Sequence, residues 1–224
     1  MNKKAVIFDM DGVIYDTERV YLEEWLNIFT KHGYKMTQEI YVAVMGTGRK
    51  NVIKTFKETF GQDLPIEVMY EEKDAELFRR IEEEGIPLKI GVIEILEYLK
   101  DSGYKISLDT SAKKERVAKQ LRDENLKSFF DAIVCSEDVE KGKPNPDIFL
   151  KAAALINMNP KDCFVVEDSS AGIMAAYRAG MRGLHVEDLK AADENIKKHA
   201  SGCFKNLFEI KEYIKKNDIS DLKL

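Results

Sequence analysis

Two aspartates near the start of the chain, Asp9 and Asp11, have the type and spacing that group transfer requires, and they follow the apolar run 5–8. Extended backbone points residues i and i+2 to the same side, so both carboxylates can reach one small volume. Two anions there repel each other unless a cation or a proton lies between them. The pair therefore suits a metal-assisted transfer in which one aspartate attacks and the other moves a proton. The alternative is a β-hairpin, because Asp11-Gly12 between apolar residues is also a strong two-residue turn signal.

Polar residues also follow three later apolar runs that are typical of strands. Open parallel sheets bind ligands beyond the carboxyl ends of their strands, so these residues are expected to meet Asp9 and Asp11. Hydroxyl groups near a helix N-terminus can bind phosphoryl oxygens, a lysine can neutralise them, and paired carboxylates suit Mg²⁺. The residues are Thr110 and Ser111, then Lys143, then Glu167 and Asp168.

Each of these groups also has an ordinary structural explanation. Thr110 and Ser111 could cap the next helix, Lys143 could be a surface lysine, and an acidic pair could simply end a strand. Their occurrence at successive strand ends favours one site for phosphoryl transfer, with Asp9 as nucleophile and Asp11 as acid and base.

The elements that must position these residues alternate along most of the chain. Strands are predicted at 5–7, 104–108, 132–135, 163–166 and 183–186, and helices at 92–100, 113–124, 146–156, 171–179 and 206–215. This order predicts an α/β fold with a doubly wound parallel-sheet, Rossmann-like core.

The segment 17–85 interrupts the alternation, because it contains only helical patterns, at 20–31, 38–44, 51–59 and 66–82. We therefore expect an inserted all-helical cap at 17–85 and a catalytic core formed by 1–16 and 86–224.

Composition excludes several classes of protein. The 224 residues are 44% hydrophobic and 33% charged with a net charge of −5, which is typical of a globular protein and argues against nucleic-acid binding. No apolar run is long enough to cross a membrane, and membrane partners are not expected. Cys135 and Cys163 lie in apolar runs and are interpreted as buried thiols in a reducing cytoplasm. The histidines lack ligand spacing, so we expect them at the surface or at element ends.

The chain resembles the haloacid dehalogenase-like hydrolases, in the branch with a helical cap after the first strand that includes β-phosphoglucomutase and sugar-phosphate phosphatases. The matching blocks occur in the same order over nearly the whole length, at 9–17, 110–111, 141–149 and 166–172.

The resemblance implies roles for individual core residues. Asp9 would become an aspartyl-phosphate, and Asp11 would be the general acid and base with its backbone carbonyl on the metal. Asp168 would bind Mg²⁺, with Glu167 at or beside the metal. The residues that hold the transferring phosphoryl group would be Thr110, Ser111 and Lys143.

In the cap, the turn formed by Gly46, Thr47, Gly48 and Arg49 resembles one that contacts substrate in the mutases. A bidentate arginine would suit a second phosphate, although Arg49 could also be a surface residue after a glycine turn. Lys73 likewise resembles a residue that a mutase uses to grip that phosphate.

Three positions depart from the family pattern. Val20 and Tyr21 occupy the region where the mutase pattern has a histidine, which weakens the mutase interpretation. Asp109 adds a carboxylate beside the phosphate site, and Ile90-Gly91 stands where many relatives have Pro-Gly.

The resemblance implies a Mg²⁺-dependent phosphatase that acts on a small phosphorylated metabolite, specifically a sugar phosphate. We expect the protein to be a cytoplasmic monomer. The alternatives are a β-phosphoglucomutase-like isomerase and a non-catalytic sugar-phosphate sensor. A dehalogenase is disfavoured because Asp11 marks the phosphotransfer version of the motif.

Overall fold

The computed structural model describes residues 4–45 and 47–221, apart from the side chains of Glu124 and 218–221. It contains one parallel sheet of six strands in the order β3-β2-β1-β4-β5-β6. The strands are β1 (Ala5–Asp9), β2 (Lys105–Asp109), β3 (Ala132–Val134), β4 (Cys163–Glu167), β5 (Arg182–Val186) and β6 (Gly202–Phe204). The predicted doubly wound parallel sheet is thereby confirmed.

The central strands are buried on both faces. All five residues of β1 and all five of β4 are buried, which explains why their sequences are continuous apolar runs rather than alternating ones. The hairpin alternative for Asp11-Gly12 is wrong, because β1 is paired in parallel with β2 on one side and β4 on the other.

The chain divides into two compact units, with the divisions between Asp16 and Thr17 and between Pro87 and Leu88. The helical unit, Thr17–Pro87, contains only helices among its described residues. They are α1 (Thr17–Lys31), α2 (Gln38–Val44), α3 (Arg49–Phe60) and α4 (Ile66–Glu84). Its interior is aromatic: the ring of Trp25 lies edge-on to Phe56 at 5.5 Å and to Tyr70 at 4.7 Å.

The sheet unit comprises the rest of the chain. Its helices are α5 (Val92–Asp101), α6 (Lys114–Gln120), α7 (Glu124–Lys127), α8 (Asp147–Leu155), α9 (Ser170–Arg178), α10 (Glu194–His199) and α11 (Leu207–Asp221). Side chains of α8 and α9 pack on Ala5, Ile7 and Val165 of the central strands and form a buried core there.

The sheet unit differs from the sequence prediction in two places. The helix expected over 113–124 is split, because the Asp123 side chain accepts a hydrogen bond from the Asn125 N–H (2.8 Å) and starts a new turn. The edge strand β6 and helix α10 were not predicted, since three and six residues are too few to show a hydrophobic period.

Among the described residues, none of the helices has the length and apolar composition required to span a bilayer.

Candidate active site

The candidate site is centred on Asp9, the last residue of β1, which is only 7% exposed. The ammonium group of Lys143 donates hydrogen bonds to Asp9 Oδ1 and, at 2.6 Å, to Glu167 Oε1. The loop that carries Lys143 is attached to the core, because Arg178 Nη1 donates a hydrogen bond to the Pro144 carbonyl (2.9 Å). Lys143 therefore links the ends of β1 and β4.

Three carboxylates at these strand ends could hold a metal ion. Oxygen atoms of Asp9, Glu167 and Asp168 all lie within 4.8 Å of one another. Burial raises the pKa of Asp9 to about 7, an effect that the Lys143 ammonium opposes and the charge of Glu167 strengthens. Burial, followed by the charges of Glu167 and Asp9, also raises the pKa of Asp168 well above its usual value.

Glu167 behaves differently from its two neighbours. Burial favours its neutral form, but Lys143 and hydrogen bonds from Ser169 hold the net pKa of Glu167 below its ordinary value. Its Oε2 accepts from the Ser169 N–H (2.7 Å) and hydroxyl (2.9 Å), and its Oε1 accepts from Lys143. Both carboxylate oxygens of Glu167 therefore already accept hydrogen bonds from protein donors.

The donor set fits Mg²⁺. Three carboxylates face one ammonium group, and their oxygens are the hard ligands that this ion prefers, usually with one or two carboxylates and several waters. Asp9 and Asp168 would hold the ion, and Glu167 would lie beside them.

Two glycines permit this close packing of carboxylates. A Cβ on Gly172 would lie 1.8 Å from Glu167 Oε1, and one on Gly12 would lie 2.4 Å from Asp168 Oδ2. Gly12 also has a φ of +75°, which a side chain would strain. A side chain at either position would therefore displace one of these carboxylates.

Asp11 lies in the turn that follows β1 and is outside this trio of carboxylates. The N–H groups of Ile14 and Tyr15 both donate to the Met10 carbonyl at 3.0 Å, which closes the turn. Arg116 on α6 donates to Asp11 Oδ1 at 2.5 Å. No sequence pattern singled out Arg116, which is one of several charged residues in its helix.

Thr110 follows β2 and is 1% exposed. Its Oγ1 accepts from the Ala112 N–H (3.0 Å), and its own N–H donates to the Val134 carbonyl (2.9 Å). The helix-cap explanation for Thr110 and Ser111 is wrong, because α6 begins at Lys114 and its N-cap is Lys113. Ser111 is exposed.

Asp109 is buried and lies beside Asp9 in the β1–β2 register. Ser107 Oγ donates to its Oδ1 (2.8 Å), and its Oδ2 has no hydrogen-bond partner within the described part of the chain. Burial raises the pKa of Asp109 well above the usual value. Burial therefore favours the neutral form of this unusual carboxyl group.

The sequence also missed two residues behind Asp168. His185 was expected at the surface or at an element end, but this is wrong, because it lies within β5 and is buried. Its Nε2 donates to the Asp168 carbonyl (3.1 Å), and burial lowers its pKa. Asp188 follows β5, and Lys89 Nζ donates to its Oδ1 at 2.5 Å.

The predicted cap residues lie in the helical unit. Arg49 begins α3 with its guanidinium 4.2 Å from the ring centre of Tyr70. Thr47 Oγ1 donates to the Val44 carbonyl (2.8 Å), and Gly46 lies outside the described residues. Lys73 is buried with its ammonium 5.4 Å from the Trp25 ring centre. Their contact with substrate stays a prediction.

Comparisons with known proteins agree with this architecture. The model of a family described as haloacid dehalogenase-like hydrolase matches residues 6–186. A phosphorylated carbohydrates phosphatase of Thermotoga maritima is 31% identical over 81% of this chain and 84% of its own length. A β-phosphoglucomutase of Bacillus subtilis is 33% identical over 80% of each chain. The crystal structure of a putative β-phosphoglucomutase from Thermotoga maritima superposes with a TM-score of 0.76 at 29% identity, covering 95% of this chain and 99% of that one.

Proposed function

The chain belongs to the haloacid dehalogenase-like hydrolase family, and we propose that it is a Mg²⁺-dependent phosphatase of sugar phosphates that acts through an aspartyl-phosphate. The observation that carries the proposal is the buried carboxylate of Asp9, held by Lys143 beside Glu167 and Asp168. Phosphatase names among its relatives support its classification as a phosphoric monoester hydrolase.

In the first half-reaction, an Asp9 oxygen attacks phosphorus and the bond from phosphorus to the ester oxygen breaks. Asp11 gives its proton to the departing oxygen, which leaves as an alcohol. In the second half-reaction, Asp11 takes a proton from water, the water oxygen attacks phosphorus, and the bond to Asp9 breaks. Inorganic phosphate leaves, and both aspartates return to their starting forms.

Other residues of the chain hold the reacting groups. Lys143 neutralises charge on the phosphoryl group and keeps Asp9 in place. The Thr110 oxygen accepts a hydrogen bond from the Ala112 N–H, and the hydroxyl proton is suited to donate to a phosphoryl oxygen. Ser111 is exposed beside it and would donate in the same way. Arg116 would orient Asp11 through their ion pair.

A Mg²⁺ ion bound by Asp9 and Asp168, with the Asp11 carbonyl as a further ligand, would offset the repulsion between the anionic nucleophile and the anionic substrate.

A sugar phosphate is the proposed substrate because a curated relative at 31% identity is named a phosphatase of phosphorylated carbohydrates. In the cap, Thr47, Arg49 and Lys73 are the proposed substrate contacts, together with Gly46. Cys135 and Cys163 are buried free thiols, which supports the proposed location in a reducing cytoplasm. The proposed monomeric state is testable by light scattering.

A β-phosphoglucomutase-like isomerase is the second candidate, because a β-phosphoglucomutase is 33% identical to the chain. A mutase must protect its aspartyl-phosphate from water until the intermediate reacts. Val20 and Tyr21 stand where the mutase pattern has a histidine, so we rank hydrolysis first.

The test incubates the protein with Mg²⁺, β-glucose 1-phosphate and a trace of the bisphosphate, and measures free phosphate and glucose 6-phosphate together. We expect free phosphate without glucose 6-phosphate, and no turnover by Asp9→Asn. Glucose 6-phosphate forming much faster than free phosphate would favour the mutase. No turnover of a panel of sugar phosphates or of p-nitrophenyl phosphate would favour a sensor.

A further inference from the structure

We propose that Asp188 is a further carboxylate of the cation site, which accepts a hydrogen bond from a water molecule bound to the cation and thereby tightens metal binding. The inference rests on the proposed metal dependence and adds to it a residue outside the sequence blocks that suggested the site. Asp188 lies two residues beyond the end of β5. Strand β5 pairs with β4, and Asp168 directly follows β4.

Among the residues that the structure describes, the buried side chain of Asp188 has one oxygen that accepts no hydrogen bond. The Asp188 side chain is 5% exposed, and Lys89 occupies only its Oδ1, with a separation of 2.5 Å. Its Oδ2 is buried and has no hydrogen-bond partner among the residues that the structure describes. A buried carboxylate oxygen without a donor is costly, so a donor supplied by a ligand would stabilise it.

Asp188 Oδ2 lies on the side of its residue that faces Gly12 and Asp168. A Cβ placed on Gly12 would lie 3.3 Å from Asp188 Oδ2 and 2.4 Å from Asp168 Oδ2. Asp188 Oδ2 and Asp168 Oδ2 therefore border the same small space at Gly12. Because both distances are measured from the same Cβ position, the separation of the two oxygens cannot exceed the sum of the two distances. Asp168 is in turn grouped with Asp9 and Glu167. The unused oxygen of Asp188 thus faces the candidate metal ligands.

The chemistry of Mg²⁺ suits such an outer carboxylate. The ion retains several waters in protein sites, and each bound water has protons to donate. Partners that hydrogen-bond to the primary ligands typically change metal affinity by about 10- to 100-fold.

The competing explanation is a purely structural ion pair. The Lys89 N–H donates to the Ile14 carbonyl (2.9 Å). On this explanation, the sole role of the Lys89–Asp188 ion pair is to hold the segment around Lys89 in place. The two explanations predict opposite effects for the two partners. If the pair is structural, loss of either side chain should weaken the site alike. If Asp188 acts on the cation, loss of Lys89 removes a competing positive charge and should strengthen cation binding.

The experiment measures Mn²⁺ binding to the EDTA-treated 224-residue chain by the electron paramagnetic resonance signal of free Mn²⁺, without substrate or turnover. We expect Asp188→Asn to weaken binding about 10-fold or more and Lys89→Gln to bind at least as tightly as wild type. Glu187→Gln, which removes a neighbouring negative charge, is the matched control and should change little. Circular dichroism establishes that each variant is folded.

Wild-type affinity in Asp188→Asn, or equal weakening in Asp188→Asn and Lys89→Gln, would overturn the inference. If Asp188→Asn does not fold, Lys89→Gln decides alone: weaker binding than wild type overturns the proposal, and binding at least as tight as wild type supports it. Asp168→Ala separates this inference from the proposed function. If wild type does not bind Mn²⁺, or Asp168→Ala binds it equally well, the metal site itself is wrong. If only Asp168→Ala loses binding, the metal site holds and the role of Asp188 fails.

Discussion

Replacing Lys143 with methionine should destabilise the sheet unit strongly at neutral pH. The Lys143 side chain is 5% exposed, and the side chains of its two partners, Asp9 and Glu167, are 10% and 2% exposed. Methionine has a similar length but no charge, so the variant leaves both carboxylates buried without their cation. Breaking a buried ion pair in this way costs about 3–5 kcal/mol of unfolding free energy. For a chain of this size the loss corresponds to a melting temperature lower by roughly 6–20 °C.

The loss should depend on pH in a defined direction. In the wild type the pKa of Glu167 is lowered, so its ionised form adds stability above the unfolded pKa of Glu. In the variant, burial without Lys143 raises the pKa of Glu167, so the folded state binds more protons than the unfolded state. Stability of the variant therefore falls as pH rises from 5 to 8. Because one pKa unit is worth about 1.4 kcal/mol, the deficit at pH 5 should be smaller by at least about that amount.

The assay is urea unfolding with EDTA at pH 5.0 and 7.5, followed by far-ultraviolet circular dichroism. Fluorescence is unsuitable because the only tryptophan, Trp25, lies in the helical unit. Lys141→Met is the matched control, since Lys141 is an exposed lysine of the same loop. A deficit below about 1 kcal/mol at pH 7.5, or an equal deficit at both pH values, would refute the reasoning, because breaking a buried pair costs more.

Two further predictions follow from the same geometry. Asp11→Asn should accumulate phosphate on Asp9 from p-nitrophenyl phosphate, whose leaving group needs no proton, because the water that attacks the aspartyl-phosphate loses its base. Mass spectrometry after mixing should detect the adduct, and its absence would contradict the role of Asp11. Gly172→Ala should lower the unfolding free energy by about 1–3 kcal/mol, because the added Cβ displaces Glu167, whereas Gly142→Ala, where a Cβ meets nothing within 4 Å, should be nearly neutral in the same urea assay. Equal stabilities of the two glycine variants would show that Glu167 moves aside at no cost.

The sequence alone predicted the architecture because the signals it needs are local. Apolar runs of strand length separated by helical patterns indicated a parallel sheet, and the structure has one. The absence of strand patterns over 17–85 indicated a helical insertion, and the described residues of Thr17–Pro87 form only helices. Short elements such as β6 escaped detection, since three residues cannot show a period.

The sequence also indicated which residues could take part in chemistry, because the carboxyl ends of parallel strands meet at one edge of a sheet. Asp9 and Glu167 end strands β1 and β4, which pair directly. The rule that ligands bind beyond the carboxyl ends of parallel strands requires only the position at which each strand ends. It therefore singled out Asp9, Glu167 and Asp168 without knowledge of their contacts.

Only the tertiary structure decided which of these groups lie in contact and which protonation state each of them favours. Asp9 and Lys143 are 134 residues apart in the chain, Asp11 and Arg116 are 105 apart, and Lys89 and Asp188 are 99 apart. No local pattern specifies such pairs, because each depends on how several strands and loops pack together. The same packing buries Asp9 and raises its pKa to about 7. A side chain's charge depends on its three-dimensional surroundings, and sequence spacing alone does not contain them.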